Sequence, residues 1–203
     1  MDFIGMLKKE LQLPLPGIEA QKVFYPMRGE LPTEHIHYKK SAVGIHFFNV
    51  NGQIHFLLMQ RSSHKGPHAG QMAFPGGKFE LEDLTLEQTA RRESMEEVGI
   101  DLESGSLLGQ LSEVNIPVSK FKVYPFLFYH ETTPSFKINE EVERIEFVNI
   151  QDLMNDKNVG TTNINVGDNR YLKNIPCFLL NNDQVWGATS IMLNELKQLL
   201  KRN

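Results

Sequence analysis

The chain has 203 residues, 40% of them hydrophobic, with 25 acidic against 21 basic side chains for a formal net charge of -4. That length suits one domain with a real core, the composition gives no reason for disorder or a fibrous repeat, and the absence of a dense lysine and arginine run argues against a nucleic-acid partner. The single cysteine, Cys177, rules out an intramolecular disulfide and is expected to be a buried thiol in a reducing compartment; with no charged n-region ahead of an apolar stretch, and no window near the roughly 18 apolar residues of a membrane span, a cytoplasmic protein without a membrane partner is expected.

Asp2 is placed to cap a short helix through about Leu11, which Pro14 and Pro16 stop. A linker to about Lys40 then separates an arm, residues 1–40, from the main domain, residues 41–203. Two β-rich segments, Ala42 to Asn49 and Ile54 to Gln60, flank Asn51-Gly52, the strongest short hairpin signal. Ser62 to Ala73 lacks a period and ends in Phe74-Pro75-Gly76-Gly77, so it reads as a loop approaching a site. Thr85 with Gln88 forms a capping box and Gly99 ends the helix after Val98. Further strands are expected over Ser106 to Leu111, Phe121 to His130 and Arg144 to Val148, and a mobile loop over Gly160 to Asp168. Met192, Leu196 and Leu199 give Ala188 to Lys201 the pattern of an amphipathic helix, with Trp186 packing it against the sheet. The fold class is therefore α/β (α+β), a mixed β-sheet flanked by helices.

The chemistry is concentrated in Arg92-Glu93-Ser94-Met95-Glu96-Glu97-Val98-Gly99. At about 100° per residue, Leu86, Ala90, Glu93 and Glu97 share one stripe, so two carboxylates fall on the helix's inward face. Like charges at i and i+4 cost about 0.2 to 0.5 kcal/mol even in solvent, and more as the dielectric falls. A divalent cation removes that penalty, and Mg2+ or Mn2+ held by carboxylates and substrate phosphates fits the donor set. Arg92 lies beside Glu96 and can orient a carboxylate. The alternative, glutamate as a good helix former on a wet surface, suits isolated Glu80, Glu87 and Glu195 better than this pair.

These residues resemble the Nudix family, whose pattern of a glycine, a loop and Arg-Glu-x-x-Glu-Glu-x-Gly is met by Gly77, Arg92, Glu93, Glu96, Glu97 and Gly99. Leu84, with Asp83 just before it, stands where the box has its first glutamate, and Ser94 replaces an aliphatic residue. Both departures are similar to the coenzyme A pyrophosphatase branch, as are Leu57-Leu58-Met59-Gln60-Arg61-Ser62, His68 through Gly77, Glu141-Val142 and Trp186-Gly187-Ala188-Thr189. Gly66 departs from that branch where an arginine is expected, so a phosphate contact would move to Lys65 or Arg61, or be lost.

The resemblance implies the Nudix fold, a sheet sandwiched between helices. It also implies a pyrophosphohydrolase of a small-molecule nucleotide substrate, with the Gly76 carbonyl as a further ligand beside Glu93, Glu96 and Glu97. Glu93 and Glu141 are both open as the general base. Arg61, Phe74, Gly77 and Lys78 are the expected substrate contacts, while His64 and His68 have no zinc logic. Coenzyme A or a derivative, another nucleoside diphosphate derivative, and a catalytically silent nucleotide-binding module are the three competing functions. Oligomeric state, homodimer included, stays open.

Overall fold

A computed structural model describes residues 2–25, 37–63, 69–165 and 171–202. In chain order it contains α1 (Phe3–Glu10), α2 (Gly17–Gln21), a 3-10 turn at Lys22–Phe24, β1 (Lys39–Val50), β2 (Gln53–Arg61), β3 (Met72–Ala73), β4 (Gly76–Lys78) and α3 (Leu86–Val98). There follow β5 (Ser106–Gln110), β6 (Val114–Ile116), β7 (Phe121–His130), β8 (Val142–Asn149), α4 (Ile150–Met154), a 3-10 turn at Asp156–Asn158, β9 (Val159–Asn165), β10 (Tyr171–Leu180), β11 (Asp183–Val185) and α5 (Gly187–Leu200).

The expected hairpin forms: β1 and β2 pair antiparallel around Asn51-Gly52, both at positive φ. β1 also runs parallel to β7 along its length, and β8 pairs with the outer side of β2, giving the mixed sheet. β1 and β2 then diverge, and the chain from Met72 to Lys78 fills the gap, with β3 on β2 and β4 on β1. That wedge sets Gly76 and Gly77 in the floor beneath α3. A separate small sheet has the order β11-β10-β9.

Alternation along β1 sorts the faces. Ile45 and Phe47 join Phe56, Leu58, Leu193 and Leu196 in the core under α5, while Phe48 joins Leu57, Met59 and Val98, and Ala42 joins Ala90, on the α3 side. The sheet is thus sandwiched between helices, as expected. Leu7 and Phe24, from the N-terminal segment, are fully and almost fully buried in the α5-side core.

Two expectations are corrected. The stretch after Pro16 holds α2 and a 3-10 turn before residues 26–36, which lie outside the described residues. Gly160 to Asp168 is not a loop in its described part, because β9 spans Val159–Asn165 and pairs with β10; residues 166–168 lie outside the described residues. The alternation there is of threonines and asparagines with one buried Ile164, too polar to read as a strand. Glu195 is a third correction: α5 buries it completely, and its carboxylate accepts from Gly17 N, Ser112 N and Gln21 Nε2 at 2.9–3.2 Å. Cys177 is buried, which raises its thiol pKa.

On the α3 side the sheet also buries two histidines, His46 and His130, 1% and 3% exposed. Burial and the Arg91 guanidinium push His130 down to about 4, and burial with the neighbouring His130 pushes His46 well below its usual value. Both are therefore neutral in the folded protein at neutral pH, while the unfolded chain protonates them near pH 6.5. A depressed histidine pKa means stability present above the unfolded value and lost as pH falls from about 6.5 toward about 4. At about 1.36 kcal/mol per unit, His130 alone removes on the order of 3 kcal/mol across that window. Denaturant midpoints between pH 7 and pH 4.5 check this, with His130→Gln expected to flatten the profile.

Candidate active site

The capping box places α3 as anticipated. Thr85 accepts from Gln88 N, the Gln88 side chain reaches back to the Thr85 backbone, and Gly99 closes the helix at φ 77°. The inward stripe is Ala90, Glu93 and Glu97, with Ala90 fully buried and Glu97 3% exposed. Glu97 Oε2 accepts from Gly76 N at 2.8 Å, and its Oε1 lies 3.4 Å from Arg61 Nη1. Arg61 Nη2 is 3.7 Å from Glu141 Oε2, so one guanidinium sits between a buried and an exposed carboxylate. Ser62 N donates to Glu141 O, which ties that segment to the end of β2.

Glu93 stands over Gly77. An added Cβ at Gly77 would lie 2.3–2.6 Å from the Glu93 carboxylate, so the missing side chain is what admits it. Burial raises the Glu93 pKa despite Arg92, and burial pushes Glu97 up to about 7 against the opposing Gly76 N–H and Arg61. In both groups the cost of burying a charge outweighs the neighbouring guanidinium.

Arg92 distributes all five of its N–H donors within the protein. Its Nη1 donates to Glu93 at 2.9 Å and Glu96 at 3.1 Å, Nη2 to Lys78 O at 3.1 Å, and Nε and Nη2 form a fork to Asp83 at 2.9 and 3.0 Å. It is saturated by these bonds and orients carboxylates.

Asp83 is the functional residue that spacing alone missed, visible only as an acid one place from where the box has its glutamate. It is 6% exposed and also accepts from Glu80 N and Thr89 Oγ1, while Leu84 beside it is 83% exposed. The Arg92 fork holds its pKa down at about 2. A depressed carboxyl contributes stability above the unfolded value near 3.8 that is lost as pH falls through about 2. Asp83→Asn should thus cost about 2 kcal/mol at pH 7, lowering the melting temperature by roughly 4–8 °C, with the difference shrinking toward pH 2. Thermal melts of both proteins at pH 7 and pH 3 check it.

Phe74 is a correction: it is 2% exposed in the core, its ring 6.3 Å from Phe56, which leaves little ring surface on which a base could stack. Lys78 is exposed at the edge of the site and Glu96 lies on the outer flank of α3. Among the described residues no three acidic, histidine or cysteine side chains form a ready-made metal cluster; the Glu93, Glu96 and Glu97 carboxylates are instead engaged by an N–H or a guanidinium. His64, Lys65, Gly66 and His68 lie outside the described residues.

No helix among the described residues is long and apolar enough to cross a membrane. The NUDIX domain profile matches residues 38–166. Nudix hydrolase 3 of Caenorhabditis elegans is 30% identical over 176 residues, covering 78% of this chain and 72% of that protein. An uncharacterised Nudix hydrolase NudL of Yersinia pestis is 30% identical over 146 residues, 70% of each chain. In fold, the chain is similar to the crystal structure of a MutT protein from Methanosarcina mazei, with a TM-score of 0.54 and 20% identity over 84% of this chain and all of that one. With the matched profile spanning β1 to β9 and a helix that carries its glutamates over two glycines, the chain belongs to the Nudix family and is a hydrolase of pyrophosphate bonds.

Proposed function

We propose that residues 41–203, with the N-terminal arm packed on them, form a cytoplasmic, Mg2+- or Mn2+-dependent pyrophosphohydrolase. Its proposed substrate is coenzyme A or a derivative, cut into 4′-phosphopantetheine and adenosine 3′,5′-diphosphate. The observation that carries the hydrolytic reading is the buried Glu97 carboxylate, stacked with Glu93 on one stripe of α3 and aimed at the Gly76-Gly77 backbone. The donor set fits a hard cation: oxygen ligands only, two of them carboxylates whose ionisation burial disfavours and a cation would favour. Glu93, Glu96 and Glu97 would hold it, with the Gly76 carbonyl as the ligand that the family resemblance adds.

A bound cation would neutralise the diphosphate oxygens and acidify an attacking water. Arg92, fixed by Asp83, holds the Glu93 and Glu96 carboxylates in place. Glu93 and Glu141 are the proposed proton acceptors; Glu141 is exposed, and Arg61 is poised between it and Glu97. Arg61, Gly77 and Lys78 are the proposed substrate contacts.

Support for coenzyme A comes from the branch-like segments Leu57 to Ser62, His68 to Gly77 and Glu141-Val142, whose Arg61, Gly76 and Glu141 meet around Glu97. Gly66 favours a second reading, another nucleoside diphosphate derivative, because glycine offers no phosphate fork at that position. Purified protein with Mg2+ or Mn2+ and a panel of coenzyme A, ADP-ribose, nucleotide sugars and triphosphates separates them by product identity. Turnover of coenzyme A below every other compound overturns the first reading, and turnover of none overturns both. Protons and cation compete for Glu97, so cation affinity should rise as pH passes upward through about 7. Mg2+ should accordingly raise the melting temperature more at pH 8 than at pH 6, a gain that EDTA removes.

A further inference from the structure

Four buried or half-buried polar groups form a chain from a surface recess to the inner face of α3. Ser104 Oγ lies 3.0 Å from His130 Nδ1, His130 Nε2 lies 2.9 Å from His46 Nδ1, and His46 Nε2 lies 2.8 Å from Ser94 Oγ. Ser94 Oγ is 2.7 Å from Ala90 O. A carbonyl accepts only, so the Ser94 hydroxyl proton goes to Ala90 O and Ser94 Oγ must accept from His46 Nε2–H. His46 Nδ1 is then an acceptor, His130 Nε2–H donates to it, and the Ser104 hydroxyl donates to His130 Nδ1. Every link is satisfied with both rings neutral and in the same tautomer.

The surroundings are cut to fit this chain. A Cβ on Gly44 would lie 2.4 Å from His46 Nε2 and 2.9 Å from Ser94 Oγ, and one on Gly105 would lie 2.6 Å from the His130 ring. His46 also stacks on Phe128 at 5.1 Å between centroids. Ser94 is one residue from Glu93 and three from Glu97, so whatever fixes Ser94 fixes the rotation of the helix that presents both carboxylates. The hydrogen bonds of the four groups run to one another and to Ala90 O, and not to the substrate residues proposed above.

We propose that His46 is a positioning residue for the hydrolytic site: through its Nε2–H bond to Ser94 it sets the azimuth of α3, and so the placement of Glu93 and Glu97 for a divalent cation. This rests on the cation-binding reading of those glutamates. His46→Leu removes the bond and Ser94→Ala removes its acceptor, whereas His46→Gln keeps an amide donor where Nε2 stood. Mn2+ affinity is read by electron paramagnetic resonance of the free ion without substrate, and kcat and KM are measured on the hydrolysed diphosphate, at a temperature where circular dichroism is native.

The expected result is Mn2+ affinity and kcat lowered about tenfold or more in His46→Leu and Ser94→Ala, with KM little changed and His46→Gln within about threefold of wild type. Equal affinity in all four proteins, or His46→Gln as weak as His46→Leu, overturns the positioning role. Should His46→Leu not fold, Ser94→Ala against His46→Gln makes the same comparison. Histidine 15N spectra of the wild type at pH 7 need no variant: an Nδ1–H on His46 overturns the proposal. Wild type that binds no Mn2+ sinks the cation reading itself, an outcome distinct from wild-type binding that the variants leave unchanged.

Discussion

Replacing Glu97 with glutamine should lower turnover by about three orders of magnitude while the protein stays folded, because several kcal/mol of transition-state stabilisation are lost with one charge. The amide carbonyl can still accept from Gly76 N, which now bonds Glu97 Oε2 at 2.8 Å, so the local shape survives. What disappears is the negative charge that a cation and Arg61 both seek. The sign of the stability effect follows from the raised pKa. A carboxyl pushed up to about 7 by burial disfavours folding progressively as pH climbs from its usual range through 7 in the absence of metal. Glutamine does not titrate, so the variant should match the wild type at pH 5 and melt higher at pH 8 in EDTA. Added Mg2+ should reverse the order, stabilising only the wild type. Turnover within a few-fold of wild type would remove Glu97 from the machinery.

How far the sequence foretold this site depends on how local each signal was. The α3 boundaries were legible to the residue, because the capping box and Gly99 act within one turn. So was the pairing of β1 with β2, set by Asn51-Gly52. The inward stripe of Ala90, Glu93 and Glu97 followed from helix geometry alone. Asp83 was not legible as the holder of Arg92, since its role needs the Glu80–Thr85 turn to bring it back across nine positions. His46 carries no local signal; only the parallel pairing of β1 with β7 sets it beside His130. Phe74 misled in the opposite direction, because proximity to Gly76-Gly77 along the chain says nothing about which sheet face its ring enters. Buried Glu195 fails for the same reason, as its partners Gly17 and Ser112 are distant in sequence.

The two glycines under α3 should respond to the same substitution in opposite ways. At Gly76 an alanine Cβ would meet Ala42 O at 2.4 Å and Val43 Cα at 2.7 Å, and backbone cannot step aside cheaply. Gly76→Ala should therefore destabilise the protein by about 3 kcal/mol, a melting shift of roughly 6 °C or more, as β4 pulls away from β1. At Gly77 the same methyl meets only the Glu93 carboxylate at 2.3–2.6 Å, the far end of a flexible side chain. Glu93 can swing clear at little cost to folding, but in doing so it leaves Arg92 and its place beside Glu97. Gly77→Ala should keep its melting temperature within about 2 °C and lose on the order of a hundredfold in kcat, the scale expected when a reacting group moves by about an ångström. The effect acts through Glu93, so Gly77→Ala combined with Glu93→Ala should be no slower than Glu93→Ala alone. Additive losses in that double variant would mean that the added methyl also disturbs the substrate contact proposed for Gly77, beyond displacing Glu93.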